Sequence, residues 1–294
     1  MMLFTKSFSL LYFLCITSLA FAMGSNSSQP KGTVLFKITH PNSKHTSYLF
    51  GTHHAFGKSF FDSLTTANQA LASSTMLIKE NLNLPGHTAE DIINERQNKT
   101  NWRKYLNNND LKFIEDLFAT SPTDYTKMTP AELYAFLNRY FKQRVCLEKQ
   151  PTDTSLSLDD YIGQKAEQMN IPLLGLETTE EQITLLNKDV EGMPRKHHGR
   201  RLANIIQKIQ TENNNDCGET DWYAQMEMDY QLDKPCGNVL VLKDRNNKWM
   251  STLVKFLESN DCFIAVGLSH LMYDCGLLKQ LQGLGYTITP IDTI

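Results

Sequence analysis

Two apolar stretches near opposite ends of the 294-residue chain end in the same four-residue pattern, and this echo limits the possible folds more than any other feature. Ser47-Tyr48-Leu49-Phe50 runs into Gly51-Thr52-His53-His54, and Phe263-Ile264-Ala265-Val266 runs into Gly267-Leu268-Ser269-His270. Each is a short run of aromatic and aliphatic residues stopped by glycine, the pattern of a strand. A second pair accompanies them: Met76-Leu77-Ile78-Lys79-Glu80 and Leu173-Leu174-Gly175-Leu176-Glu177 each carry an apolar strand into a glutamate. Each half of the chain thus offers one histidine and one glutamate at a strand terminus. In α/β sheets the carboxyl ends of strands border the crevice where ligands bind.

The rest of the chain fits one frame around these strands. Thr33–Thr39 and Thr46–Phe50 flank a Pro-Asn-Ser-Lys turn and read as a hairpin, and Tyr286–Pro290 reads as a final strand. Between lie helical stretches: Leu64–Ala72, a long middle from about Thr88 to Phe141, a helix opened by Ser157-Leu158-Asp159-Asp160, and further helices to Glu258. In the middle stretch Trp102, Leu106, Leu111, Phe113, Leu117 and Phe136 form the expected apolar faces. The expected class is α/β in the mixed α+β sense, a central mixed β-sheet flanked by helices, with pseudo-duplicated halves around a largely helical middle segment. Lys+Arg 29 against Asp+Glu 32 gives a net charge of -3, so no broad field draws nucleic acid to the surface.

Lys6 precedes an apolar run from Phe8 to Phe21, and Ala20-Phe21-Ala22 supplies small residues where a signal peptidase reads. This pattern predicts a signal peptide over 1–22, a polar linker over 23–31 and a single domain over 32–294. The run is too short to cross a bilayer, so no stable span is expected after cleavage. Leu14 before Cys15 does not fit a lipoprotein signal, and the expected destination is the periplasm or the cell exterior. Loss of Cys15 leaves Cys146, Cys217, Cys236, Cys262 and Cys275, an odd number, so at least one is unpaired within the chain. Cys217 and Cys236 each precede glycine at the ends of one loop, and a bridge between them is the first expectation; small buried or capped residues are the alternative.

Two imidazoles and two carboxylates suit a divalent metal such as Mn²⁺, Fe²⁺, Co²⁺ or Zn²⁺, with a water completing the shell and a glutamate outside it taking the water's proton. The two glycines are expected to permit a sharp turn and a close ligand approach. Arg245 offers a planar pair of donors to a carboxylate or an oxyanion, or else pairs with a core acid. Arg195-Lys196-His197-His198-Gly199-Arg200-Arg201 reads as a solvated loop and helix start, and Glu180 and Glu181 as acids at a helix N-terminus.

Several ordered landmarks add a resemblance: Tyr48 through His54; Glu80-Asn81-Leu82; Leu158-Asp159 through Leu176-Glu177-Thr178-Thr179-Glu180-Glu181-Gln182; Arg245-Asn246 with Trp249-Met250; and Gly267-Leu268-Ser269-His270-Leu271 followed by Gly285-Tyr286. In this order they resemble the TraB/GumN family, which includes the Tiki ectodomains. The resemblance implies a mixed αβ fold related to erythromycin-esterase-like and ChaN-like proteins. For the Tiki branch it implies a protease dependent on Mn²⁺ or Co²⁺. Carried over by position, His54, His270 and Glu80 match metal positions, with Glu80, Glu177 and Arg245 as catalytic candidates. His53, Asn246, Gly51 and Gly267 would support them or bind substrate. His53 departs from the apolar residue usual there, and Asn81-Leu82-Asn83 replaces the common Glu-Leu-Asp, which removes a second carboxylate beside Glu80. The resulting expectation is an exported divalent-metal-dependent hydrolase, a peptidase acting on a peptide or protein. The alternative is a non-catalytic protein that sequesters a peptide, haem or small ligand in the same cleft, as the pheromone-inhibiting TraB branch and the ChaN-like relatives suggest.

Overall fold

A computed structural model describes residues 32–149 and 156–294; the leader and linker expected over 1–31 lie outside the described residues. Six strands, β1 (Leu35–Thr39), β2 (Thr46–Thr52), β3 (Met76–Lys79), β4 (Leu173–Gly175), β5 (Cys262–Gly267) and β6 (Thr287–Ile291), form one sheet in the order β4-β3-β5-β2-β1-β6. The expected strands are all present. β1 pairs antiparallel with β2 and with β6, while β2, β5, β3 and β4 run parallel to one another. The mixed sheet of the expected class is therefore a four-stranded parallel block with an antiparallel edge. β5 lies at its centre, and Cys262, Phe263, Ile264, Ala265 and Val266 are all fully buried, as a parallel strand covered on both faces requires. The two halves interleave, because β5 from the end of the chain separates β2 from β3.

The helices before the middle segment are α1 (Lys58–Ser63) and α2 (Thr65–Ala72). The middle breaks into α3 (Ala89–Asn94), α4 (Asn108–Leu117) and α5 (Pro130–Phe141), because Thr88 and Thr129 start new helices with capping boxes to Asp91 and Glu132. Beyond it come α6 (Leu158–Gln168), α7 (Thr179–Asp189), α8 (Arg195–Gln210), α9 (Gly218–Ala224), α10 (Asp244–Leu257) and α11 (Leu277–Gly283). The basic patch begins α8, as expected. Two apolar clusters result, one around the sheet and one within the helical middle, where Trp102, Ile114, Leu133, Leu137, Phe141, Leu202 and Ile206 meet. Of the anticipated apolar face, Phe136 is the exception: it is exposed and leans on Phe118 with ring centroids 4.7 Å apart.

The cysteines correct one expectation. Cys217 pairs with Cys146, and Cys236 with Cys275, at Cα separations of 5.3 and 5.7 Å; Cys217 and Cys236 do not bridge. Their loop ends are drawn apart by what each packs against. Cys217 is buried in the helical cluster beside Cys146, whereas the backbone around Cys236 bonds to the Asp274 turn. Between them Tyr230 is anchored to Thr33 at the sheet, its hydroxyl donating to the carbonyl at 2.6 Å. The unpaired thiol among the described residues is Cys262, buried in β5 and pushed up to about 11 by that burial. Two disulfides fit an oxidising compartment. No helix among the described residues is long and apolar enough to cross a membrane.

Mass spectrometry of unreduced, proteolysed protein is expected to recover the Cys146–Cys217 and Cys236–Cys275 peptides, with Cys262 alkylated only after unfolding. A Cys217–Cys236 peptide would contradict the structure. Cys146→Ser is expected to cost about 2–4 kcal/mol in a denaturant titration.

Candidate active site

Because β2, β5, β3 and β4 are parallel neighbours, their carboxyl ends share one edge of the sheet, and each of the four landmark residues follows one of them. His53 and His54 follow β2, His270 follows β5, Glu80 follows β3 and Glu177 follows β4 after Leu176. Short-range sequence spacing thus becomes a single cluster only through strand order.

Arg245, at the start of α10, occupies the centre. Its Nη2 donates to Glu80 Oε2 at 2.7 Å and also to Glu177 Oε1. Its Nε donates to Glu177 Oε2 at 3.1 Å, and its Nη1 donates to His270 Nε2 at 2.9 Å. The guanidinium also stacks against Trp249, 4.7 Å from the ring centroid. Pairing with core acids, one of the two roles open to Arg245, is therefore the one the structure holds. A π-helical turn, Val239–Lys243, leads directly into α10, and such turns re-aim a helix face.

His270 is 2% exposed and its tautomer follows from its partners. Asn246 donates through Nδ2 to the carbonyls of His270 and Cys275, at 3.2 and 2.8 Å, so its Oδ1 is the acceptor facing His270 Nδ1 at 2.7 Å. His270 therefore carries its proton on Nδ1 and accepts from Arg245 at Nε2. Burial pushes the imidazole down to about 4, against the pull of Glu80 and with the help of Arg245, so it is neutral at pH 7.

Glu80 accepts from the Gly267 backbone N–H at 2.7 Å, and from Gln182 at 3.2 Å besides Arg245. Burial works to raise its carboxyl, and the facing His270 and Arg245 outweigh it and hold it below its ordinary value. Since His270 is neutral, Arg245 is the cation that keeps Glu80 ionised.

His54 has the opposite character. Its Nδ1 donates to Asp159 Oδ2 at 2.7 Å, yet 59% of its side chain is open to water. The Asp159 charge raises it to about 9. Asp159 is itself held well below the usual carboxylate range: burial pushes it up, and His54, Thr52 and Lys79 more than compensate. Direct contact with Asp159, rather than enclosure, sets the charge of this wet ring. Asp159 sits in the first turn of α6, where the helix dipole favours an anion. The sequence marks it only as a landmark beside Leu158; its Ser157 cap was the available signal, and nothing local pointed to His54.

His53 stands apart from this cluster. Its ring packs against Tyr223 and Phe56, its Nδ1 accepts the Ala55 N–H at 3.2 Å, and its Nε2 bonds Glu219 at 3.2 Å. Both ring nitrogens are committed, which leaves the role of a donor that braces the turn.

The two glycines serve close packing. Neither has positive φ. A Cβ on Gly267 would meet Glu80 Oε1 at 3.0 Å, and one on Gly51 would meet the Leu268 side chain at 2.6 Å. Each Gly-x-x-His turn thus leaves room for something brought from elsewhere: Glu80 for the second turn, and Leu268 of the second turn for the first. Tyr223 adds a hydroxyl to the Gly51 carbonyl at 2.7 Å.

A family model described as the TraB/PrgY/gumN family matches residues 34–290. The chain belongs to that family. No curated protein and no solved structure matches the chain. The TraB/PrgY/gumN match spans both histidine turns, both glutamates, Asp159 and Arg245.

For this TraB/PrgY/gumN chain the donor set can be tested against a divalent ion. Among the described residues no group of three or more His, Cys, Asp or Glu side chains is disposed to hold a metal. The physical reason is visible: the Nε2 of His270 and the Oε2 of Glu80 both face the Arg245 guanidinium, which fills the place of a cation between them. In this arrangement the residues do not fit the ion.

Histidine ring NMR is expected to show His270 neutral down to about pH 4 and His54 protonated up to about pH 9. An unfolded histidine near 6.5 binds protons before folded His270 does, so His270 should make stability fall as pH drops from 6.5 through about 4. For His54 the sign is reversed: its contribution is complete below 6.5 and lost as pH rises through about 9. Equal titration of both rings near 6.5 would contradict the geometry. Gly51→Ala is expected to lower stability by about 1–3 kcal/mol through overpacking against Leu268, measured by chemical denaturation.

Proposed function

We propose that the chain is an exported hydrolase, acting on a peptide or similar acyl bond by acid–base chemistry at the carboxyl edge of the sheet. The observation that carries this reading is the opposed state of the two motif histidines. His54 is a solvent-open acid paired with Asp159, whereas His270 is buried and neutral, its ring nitrogens committed to Asn246 and Arg245, beside ionised Glu80, the base. Titratable neighbours pushed apart in this way mark acid and base assignments. Ionised Glu80 accepts a proton from an attacking water, and protonated His54 donates to the leaving group. Arg245 keeps Glu80 ionised, and Glu177 shares its charge. Asn246 and His270 hold the guanidinium in register. Export is supported by the leader-like segment and by two disulfides.

A peptide-library digest with mass-spectrometric detection tests this. Wild type is expected to cleave, and Glu80→Gln and His54→Ala to lose about a hundredfold or more in turnover. Removing buried Glu80 strips Arg245 of a partner and endangers folding; His54 is exposed, and a denaturant titration of His54→Ala checks that the fold survives loss of its Asp159 pair. No cleavage by wild type, or full activity in His54→Ala, would overturn the assignment. Parallel digests with Mn²⁺ and with chelator address the metal expectation. Cleavage that survives chelation leaves Arg245 as the site's cation, and cleavage that requires Mn²⁺ would mean an ion displaces Arg245 from His270 and Glu80. Binding without turnover would favour the sequestering alternative.

A further inference from the structure

A cavity of about 410 Å³ lies at the edge of the sheet opposite the site, where β2 and β5 begin, and its size is that of a small-molecule pocket. Three segments wall it: the turn between β1 and β2 with His40, the end of α10 with Val254 and Glu258, and the turn from α11 into β6 with Leu284 and Tyr286. These walls are fixed against one another. The rings of His40 and Tyr286 lie 4.9 Å apart between centroids. Between Leu284 and Tyr286, Gly285 adopts a φ of +88°, and a Cβ there would stand 3.5 Å from His40 Nε2. Asp261, just beyond α10, accepts the Thr46 N–H at 2.8 Å and ties that helix end to the start of β2.

The electrostatics of the cavity have one sign. α10 and α11 both end on it, through Glu258 and Leu284, the residues that cap their last turns. A helix C-terminus carries partial negative charge, so a carboxylate is unfavourable there. Glu258 nevertheless occupies that position, exposed, and its carboxylate has no hydrogen-bond or ion-pair partner among the described residues. Lys255, three residues earlier, makes no ion pair with it; its Nζ lies over the Phe256 ring, 5.8 Å from the centroid. The neighbouring acid, Asp261, is by contrast matched by His45 at 3.3 Å. The unmatched carboxylate shares the cavity with an aromatic ring, Tyr286, and two aliphatic side chains, Val254 and Leu284, of which Leu284 is 54% exposed.

We propose that this cavity binds a primary ammonium carried on an aliphatic stem, with the charge held by Glu258 and Tyr286 and the stem lying along Val254 and Leu284. An ammonium satisfies the carboxylate, gains from both helix ends and is attracted by the negative face of the phenol ring. His40 distinguishes what the stem is attached to. Its Nδ1 accepts the Asn42 N–H at 3.2 Å, so its donor is Nε2, which has no hydrogen-bond partner among the described residues. A peptide carbonyl can accept from that donor, and a free alkylamine carries no such group. The ligand chemistry thus has two sources, a lysine side chain of a peptide and a free alkylamine, which experiment separates.

Affinities are measured by NMR titration of the folded protein with three probes: acetyl-lysine methylamide, its uncharged counterpart acetyl-norleucine methylamide, and butylamine. Wild type is expected to bind the lysine probe about fivefold or more tightly than the norleucine probe, the combined size of an exposed charge pair and a cation–π contact. The shifts should centre on Leu284 and Tyr286. Glu258→Gln should abolish the preference, and exposed Glu191→Gln should leave it unchanged. A denaturant titration guards the first variant: it removes an anion from a helix C-terminus, so stability should hold or rise. Tighter binding of acetyl-lysine methylamide than of butylamine, with the gap closed by His40→Phe, assigns a peptide lysine. Butylamine binding as tightly or more tightly assigns a free alkylamine. Equal affinity for the lysine and norleucine probes, a preference that survives Glu258→Gln, loss of stability in that variant, or full competition by an equal concentration of K⁺ would overturn the proposal. None of these readings needs turnover, so failure of the hydrolytic assignment leaves them intact.

Discussion

Arg245 is the group on which the site depends. It touches residues that follow three different strands: Glu80 after β3, Glu177 after β4 and His270 after β5. Two buried carboxylates side by side would repel and raise one another's pKa without it. A buried charge stripped of its partner costs several kcal/mol, so the guanidinium is a structural requirement before it is a chemical one. Burial, with the help of the same clamp, keeps His270 neutral, and the clamp explains why its Nε2 points where it does. The site is therefore a charge lattice whose centre is dry and whose outer histidine is wet.

The strands were legible because each is a short run of aliphatic and aromatic residues stopped by glycine or by a polar turn, and the sheet formed from all six. The four landmark residues were also legible as strand-end residues. Their convergence was not, since it depends on β5 inserting between β2 and β3. Asp159 was missed as a partner because it is 105 residues from His54, and no local pattern reports such a contact. The helical middle from Thr88 to Phe141 was legible, but its division into three helices follows from the caps at Thr88, Asn107 and Thr129, which apolar periodicity does not report.

The cysteines show the same limit more sharply. Turn chemistry located Cys217 and Cys236 at loop ends, but pairing is chosen by tertiary neighbours. The two bridges fasten different parts: Cys146–Cys217 joins the helical middle to α9, and Cys236–Cys275 joins the approach to α10 with the segment after His270. One thereby braces the segment whose Glu219 holds His53, and the other the segment that carries His270. The glycines tell a related story. Their position was readable, but their purpose lies in making room for Glu80 and Leu268 and not in unusual backbone angles.

The central placement of β5 has a temporal consequence. Thr46 at the start of β2 reaches Asp261 at the head of β5 across 215 residues of chain, and contacts of such separation form late and slowly. A chain synthesised from its N-terminus carries His54, Glu80 and Glu177 long before His270 arrives. Until the last strands slot in, Glu80 and Glu177 have neither Arg245 nor the Gly267 amide beside them. The charge lattice at the carboxyl edge is therefore complete only once the two ends of the chain have met.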